Sequence, residues 1–142
     1  MAKQQQWKHP NGHGHALADE LAEAHDRLRR AGIAAAGSPV VASDLYWALG
    51  TLGQCVTAVN ELIERLGTNA RRQLRTGTSA VETGPYAGAP DTALLSAVLA
   101  LAKASSDCQP VHAAVADAQI AVSDLVASSA DRTVTSSGSV LD

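Results

Sequence analysis

Residues 45–70 read LYWALGTLGQCVTAVNELIERLGTNA and give the strongest structural signal in the sequence. Apolar residues recur in this stretch at alternating spacings of four and three, the period of one face of an α-helix. That row consists of Leu45, Leu49, Leu52, Val56, Val59, Ile63, Leu66 and Ala70. A second row, Ala48, Cys55 and Leu62, widens the face, and a broad apolar face indicates burial against more than one neighbour.

The bounds of this helix are set by start signals and by a change of composition. Ser38-Pro39 and Ser43-Asp44 both offer an N-cap, so the helix is predicted from 39 or 44 to 75, roughly 50 Å. Gly50 and Gly53 lie inside it, and each costs on the order of 1 kcal/mol relative to Ala. We therefore expect another helix to approach them closely.

Two further helices are predicted on either side. Residues 15–32 carry the stripe Leu17, Leu21, Ala24, Leu28 and Ala31. Gly32 is a plausible stop. Residues 91–127 carry the stripe Leu94, Val98, Leu101, Cys108, Val115, Val122 and Val126, with Leu95, Leu99, Val111, Ile120 and Leu125 beside it. Pro110 lacks a backbone donor and is expected to kink or split this helix.

The remaining segments contain helix breakers or lack periodicity. We interpret residues 1–14 as a flexible arm containing His9 and His13, 76–90 as a loop, and 128–142 as a disordered Ser/Thr-rich tail. Two long helices joined by a loop pack antiparallel as an αα-hairpin. The predicted fold is all-α, an elongated three-helix bundle at 15–127, built on a hairpin that the shorter first helix covers only in part.

Composition excludes several classes of protein. The 142 residues are 46% hydrophobic, 18% charged and 3% aromatic, with no Phe, two Cys and a net charge of −3. Disordered chains are less apolar, secreted disulfide scaffolds hold more Cys, and β-sandwiches hold more aromatic residues. There is neither a membrane-spanning run nor a signal peptide, so we expect a cytoplasmic protein that binds no membrane and has reduced thiols.

The hairpin brings one group of potential ligands near each other. If the loop is centred near residue 83, Cys55 lies opposite a position near 111, close to Cys108, and His112 follows one turn later. Cys and His suit Zn or Cu(I), and the two Cys alone suit a disulfide. The alternative is that both Cys fill the core and that no cofactor is bound. At the N-terminus, His9 and His13 of the arm and the adjoining His15 could also bind a metal, with His25 in reach.

Other polar and aromatic features give weaker signals. The basic clusters are Arg27, Arg29, Arg30 and Arg71, Arg72, Arg75. They fall near predicted helix C-termini, where they complement the helix dipole, so we expect no nucleic-acid binding. No P-loop, nucleophile elbow or dinucleotide motif is present, so we expect no enzymatic activity. Trp47, beside Tyr46, is either an exposed partner contact or packs beneath the first helix.

Two resemblances rest on short segments. DLYWALGTL at 44–52 and ADAQIAV at 116–122 resemble small Ala-rich helical proteins of actinobacteria, often carried on mobile elements, which implies a bacterial source and no particular activity. Tyr86-Ala87-Gly88, in the loop, resembles the turn of WXG-type secreted helical hairpins, which implies export as a helical hairpin.

The function expected from the sequence is non-catalytic interaction. Apolar surface that the short first helix leaves uncovered should meet a second copy, as in a coiled coil or oligomer, or a helical partner protein. Tyr46 and Trp47 are the candidate partner contacts. The alternatives are a metal-binding or redox-responsive bundle that uses Cys55, Cys108 and His112, and the exported WXG-like hairpin.

Overall fold

The computed structural model describes residues 16–37, 39–77 and 83–136, and all regular structure within them is α-helical. The helices are α1 (Ala16–Gly37), α2 (Ala42–Thr76) and α3 (Pro90–Ser136). The chain divides into two units, one ending at Val40 and one beginning at Val41. Within the second unit α2 packs against α3. The predicted all-α class and αα-hairpin are confirmed, whereas the placement of the first helix on the hairpin stays a prediction.

Helix α1 is longer than the sequence predicted. Gly32 does not end it, and the helix continues to Gly37. Ile33-Ala34-Ala35-Ala36 follows Gly32, and three good helix formers outweigh the roughly 1 kcal/mol penalty of one glycine. Nothing lies within 4 Å of the position that a side chain on Gly32 would occupy. The arginines at 27, 29 and 30 are therefore not in the last turn of α1, which corrects their interpretation as dipole partners.

Helix α2 has nearly the predicted bounds. Val41 precedes it in an extended conformation, and its carbonyl accepts a hydrogen bond from the Leu45 amide at 2.9 Å. Gly77 ends it with φ of 62° and donates its amide to the Gln73 carbonyl. A left-handed residue at this position is the usual way to satisfy the last carbonyls of a helix, and glycine adopts it without steric cost.

Helix α3 differs from the prediction in two respects. It passes through Pro110 without a break, so of the predicted kink or split the split is wrong, and the kink stays a prediction. The Ser106 carbonyl, which loses its donor at Pro110, belongs to an exposed residue and can bond to water. The helix also extends to Ser136, so residues 128–136 are helical and not a disordered tail. No Gly or Pro interrupts the sequence between Pro110 and Gly138. Residues 1–15 and 137–142, which include the predicted arm and the tail end, lie outside the described residues.

The packing of α2 on α3 is antiparallel. A methyl group added to Gly67 would lie 3.8 Å from Leu101 Cβ, and one added to Gly53 would lie 3.8 Å from Val115 Cγ1. As the residue number decreases along α2, the residue that it contacts on α3 has a higher number, so the two helices run in opposite directions. The register agrees with the hairpin predicted from a loop centre near residue 83. Gly50 and Gly53 do face another helix as expected. A methyl group added to Gly50 would lie 2.6 Å from Gln119 Nε2, so that side chain would have to move, whereas one added to Gly53 would lie at ordinary contact distance.

We call the packed surface the seam. On α2 it consists of two rows with heptad spacing: Tyr46, Gly53, Asn60, Gly67 and Leu74, and Leu49, Val56, Ile63 and Ala70, all buried or half-buried. On α3 the predicted stripe from Leu94 to Val126 faces α2. Gly67 and Val122 are the two buried residues of the described chain, and both lie in the seam.

Candidate functional site

One side of the hairpin is a row of shallow grooves, which we call the grooved side. Thr57 and Gln109 line one groove together, and Glu64 and Ala102 line the next. These residues follow the seam on one flank of each helix. Polar side chains dominate this flank on α2, so the grooved side is a solvent-exposed edge of the packing surface.

A hydrogen-bonded polar cluster interrupts the seam at its middle. The Ser105 hydroxyl lies 2.8 Å from Asn60 Oδ1, to which it donates, and 3.3 Å from Glu64 Oε1. Asn60 Nδ2 donates to Glu64 Oε1 at 3.1 Å. Because a polar residue in a helix seam is satisfied only when its partner lies opposite, such a cluster favours one axial alignment of the helices. It therefore favours the observed register of α2 on α3.

The three potential metal ligands are not assembled into one site. Cys108 and His112 line a groove of about 210 Å³ together with Val56 and Asn60, but Cys55 is absent from its walls. Both cysteines are free and half-buried. In the described part of the chain, no three His, Cys, Asp or Glu side chains lie close enough to hold a metal ion.

The register explains why the two cysteines are apart. Gly53 meets Val115, so Cys55, two residues further on, lies level with a position near 113. Cys108 is about five residues from that level, which is roughly 7 Å along the helix. Cys55 also belongs to the second row of α2, outside the seam, whereas Cys108 lies within it. The geometry therefore provides two ligands in one groove, and no disulfide.

The two candidate partner contacts lie in different environments. Tyr46 is half-buried in the seam, where its carbonyl accepts a hydrogen bond from Gln119 Nε2 at 3.4 Å. Trp47 is 71% exposed. The two rings meet edge to face, with centroids 5.5 Å apart. Trp47 is thus the accessible member of the pair, and Tyr46 supports it from the seam.

The predicted apolar row of α2 divides into two surfaces. Leu49, Val56, Ile63 and Ala70 lie in the seam, whereas Leu45, Leu52 and Val59 are 38%, 43% and 46% exposed. The latter three join the second row to form a continuous stripe, which we call the apolar band. It consists of Leu45, Ala48, Leu52, Cys55, Val59, Leu62 and Leu66.

The apolar band lies on the side of the hairpin opposite the grooved side. Positions that follow the seam residues by four, such as Thr57 and Glu64, line the grooves. Positions that precede them by one, such as Leu52 and Val59, are on the other flank of α2. The same reasoning places Val111 of α3, which is 51% exposed, on the band's side. The band therefore continues across the edge of the hairpin onto α3.

The band has the spacing of a second helix-packing seam. Its residues alternate at three and four from 45 to 66, roughly 32 Å of helix, and none of them is charged. Helix α2 thus has one apolar face that α3 covers and a second that α3 leaves accessible. Hydrophobic periodicity indicated that this face is broad. It could not separate the seam residues from the band residues, because one row of the seam contains Gly53, Asn60 and Gly67, which are not hydrophobic.

Exposed charged side chains form ion pairs within single helices. Arg27 pairs with Glu23 on α1, and Lys103 pairs with Asp107 at 2.6 Å on α3. Arg75 is in the last turn of α2, where a cation complements the helix dipole. Within the described ranges, no helix combines the length and apolar character needed to cross a membrane.

Comparisons with known proteins give no relative. No family model, no curated protein and no solved structure matches the chain.

Proposed function

We propose that this protein is a non-catalytic interaction module whose apolar band docks another helix, from a second copy of the chain or from a helical partner. The observation that carries the proposal is the exposure of Leu45, Leu52 and Val59, at 38%, 43% and 46%, within one uncharged stripe. Scattered exposed apolar residues are ordinary, but a contiguous stripe is typical of an interaction surface.

The expected gain from docking is sizeable on the scale of protein stability. Fully burying a Leu or Val side chain contributes roughly 1.5–3 kcal/mol. Burying the exposed part of these three side chains would therefore contribute about 2–4 kcal/mol. Val111, 51% exposed on α3, extends the same surface. Association is favoured when this gain in free energy exceeds the entropic cost of ordering the partner helix.

Trp47 offers a separate contact. Its ring is 71% exposed and held edge to face against Tyr46. Trp is enriched among residues that dominate binding energy at interfaces. It lies on a different face of α2 from the apolar band, so its role as a partner contact can be tested independently by a Trp47→Ala substitution.

The test compares two substitutions that add the same charge to the same helix. Leu52→Asp places a carboxylate in the apolar band, and Gln54→Asp places one on an exposed position outside it. Sedimentation velocity of the full chain should show a smaller species for Leu52→Asp and an unchanged one for Gln54→Asp. Circular dichroism of both variants verifies that the helices remain. If the unsubstituted chain sediments as more than a monomer, equal behaviour of the two variants would contradict the proposal.

A further inference from the structure

We infer that the occupant of the apolar band is a second copy of this chain, running antiparallel, with Cys55 at the two-fold axis. This inference rests on the proposed function and specifies its partner. A symmetric dimer requires a surface complementary to itself. Three features of the described residues meet that requirement: the spacing of the band, the charges along its edge and the apolar residue that α3 adds.

The spacing of the band is nearly palindromic about Cys55. Reversing the sequence of the band and superposing it on itself brings Leu45 to the partner's Leu66, and Leu52 to the partner's Val59. Ala48 meets the partner's Leu62, which pairs a small residue with a large one, as interdigitating packing requires. Cys55 meets its own symmetry mate. Every layer of the antiparallel pair is therefore apolar.

The charges on the edge of the band select the antiparallel direction. Asp44 and Arg65 are both exposed, lie three heptads apart and border the band on the same edge, near its two ends. In an antiparallel pair, Asp44 approaches the partner's Arg65, and symmetry repeats this attraction. In a parallel pair, each of these positions would face the opposite flank of the partner's band, so neither attraction would form. Neither side chain forms an ion pair among the described residues.

Helix α3 adds apolar surface at the centre of the same interface. Val111 follows Cys108 by three residues and lies on the band's flank of the hairpin, within about one helical turn of the level of Cys55. It is 51% exposed. The two-fold axis would place the Val111 side chains of both copies on the same side of the paired α2 helices. The predicted assembly is a four-helix arrangement of two hairpins.

Cys55 provides a direct experiment on the full chain. A Cys108→Ala background leaves Cys55 as the single thiol, and a short bis-maleimide should then link two chains efficiently. Leu52→Asp in this background should reduce the linked fraction several-fold, and Gln54→Asp should not. In a thiol-free background, Asp44→Cys should link to Arg65→Cys when the two proteins are mixed, and neither should link to itself.

Charge exchange gives a second readout of direction. Asp44→Arg and Arg65→Asp, each alone, should weaken dimerisation by on the order of three- to tenfold, since two exposed pairs are lost. The double substitution should restore it, because the pairs re-form with reversed sign. A double variant as weak as either single variant would overturn the antiparallel arrangement.

The outcomes separate this inference from the proposed function. A dimer that links Asp44→Cys to itself overturns the antiparallel inference and leaves the band as a docking face. A monomer in which Cys55 reacts rapidly with maleimide overturns self-pairing and leaves the band to a different helical partner. A monomer in which Cys55 reacts slowly until Leu28→Asp is introduced in α1 shows that α1 occupies the band, and this overturns both.

Discussion

The Ser105 hydroxyl on α3 donates a hydrogen bond to Asn60 Oδ1 on α2 at 2.8 Å, in the middle of an otherwise apolar and small-residue seam. Glu64 joins the pair from the grooved side. A polar contact in this position does little for burial but penalises every misaligned register, because misalignment would leave a part-buried amide or hydroxyl without its partner. The contact therefore favours the observed axial alignment of the hairpin.

Removing that hydroxyl should destabilise the hairpin. We expect Ser105→Ala to lower the free energy of unfolding by about 1 kcal/mol, the usual net value of such a hydrogen bond. The measurement is urea denaturation followed by circular dichroism. Ser106→Ala, at the exposed neighbouring position, is the matched control, because it gives the same change in helix propensity. Equal midpoints for the two variants would show that the hydrogen bond contributes nothing.

A substitution at Gly67 should stabilise the hairpin instead. Gly67 is buried in the seam, yet an added methyl group would sit 3.8 Å from Leu101 Cβ, an ordinary contact distance. Gly67→Ala should therefore raise the free energy of unfolding by up to about 1 kcal/mol, through helix propensity. Gly77→Ala should lower it by a similar amount, because the φ of 62° at Gly77 strains any side chain. Thermal melts of both variants test the contrast, and destabilisation by Gly67→Ala would mean closer helix packing than described.

Pro110 interrupts the hydrogen bonding of α3 without ending the helix. Pro110→Ala restores the donor to the Ser106 carbonyl and removes the ring from the preceding turn, so it should stabilise the hairpin by about 1–3 kcal/mol. Chemical denaturation measures this gain. An unchanged or lower stability would mean that the local geometry imposed by the proline is needed for packing on α2.

Metal removal should have no effect on stability. Only Cys108 and His112 of the three candidate ligands share a groove, and a structural zinc site needs four ligands. Dialysis of the untagged protein against a chelator should leave its melting temperature unchanged, with Cys108→Ser as the comparison. A metal bound stoichiometrically and lost in Cys108→Ser would contradict this geometry and restore the metal-binding alternative.

The sequence predicted the helices and the hairpin register because long apolar periodicity and a loop rich in Gly and Pro are local signals. It placed helix ends less well. Gly32 resembled a stop, but the alanines after it carried α1 to Gly37, and the Ser- and Thr-containing stretch beyond Ala127 stayed helical to Ser136. In both cases the absence of a second breaker mattered more than composition.

The division of the α2 face was beyond what periodicity can resolve. The eight-residue apolar row mixes seam residues such as Val56 with band residues such as Val59, because the seam's other row contains Gly53 and Asn60, which no hydrophobicity pattern selects. The sequence spacing correctly predicted that Cys108 and His112 lie near each other. It could not show that Cys55 lies about five residues from the level of Cys108, on a different face of the helix.

The most direct test of the central claim is the mass of the untagged full chain by light scattering after size exclusion, over a range of concentrations. We expect a mass above that of the monomer, falling to the monomer value in Leu52→Asp and not in Gln54→Asp. A monomer at every concentration would contradict self-association through the apolar band.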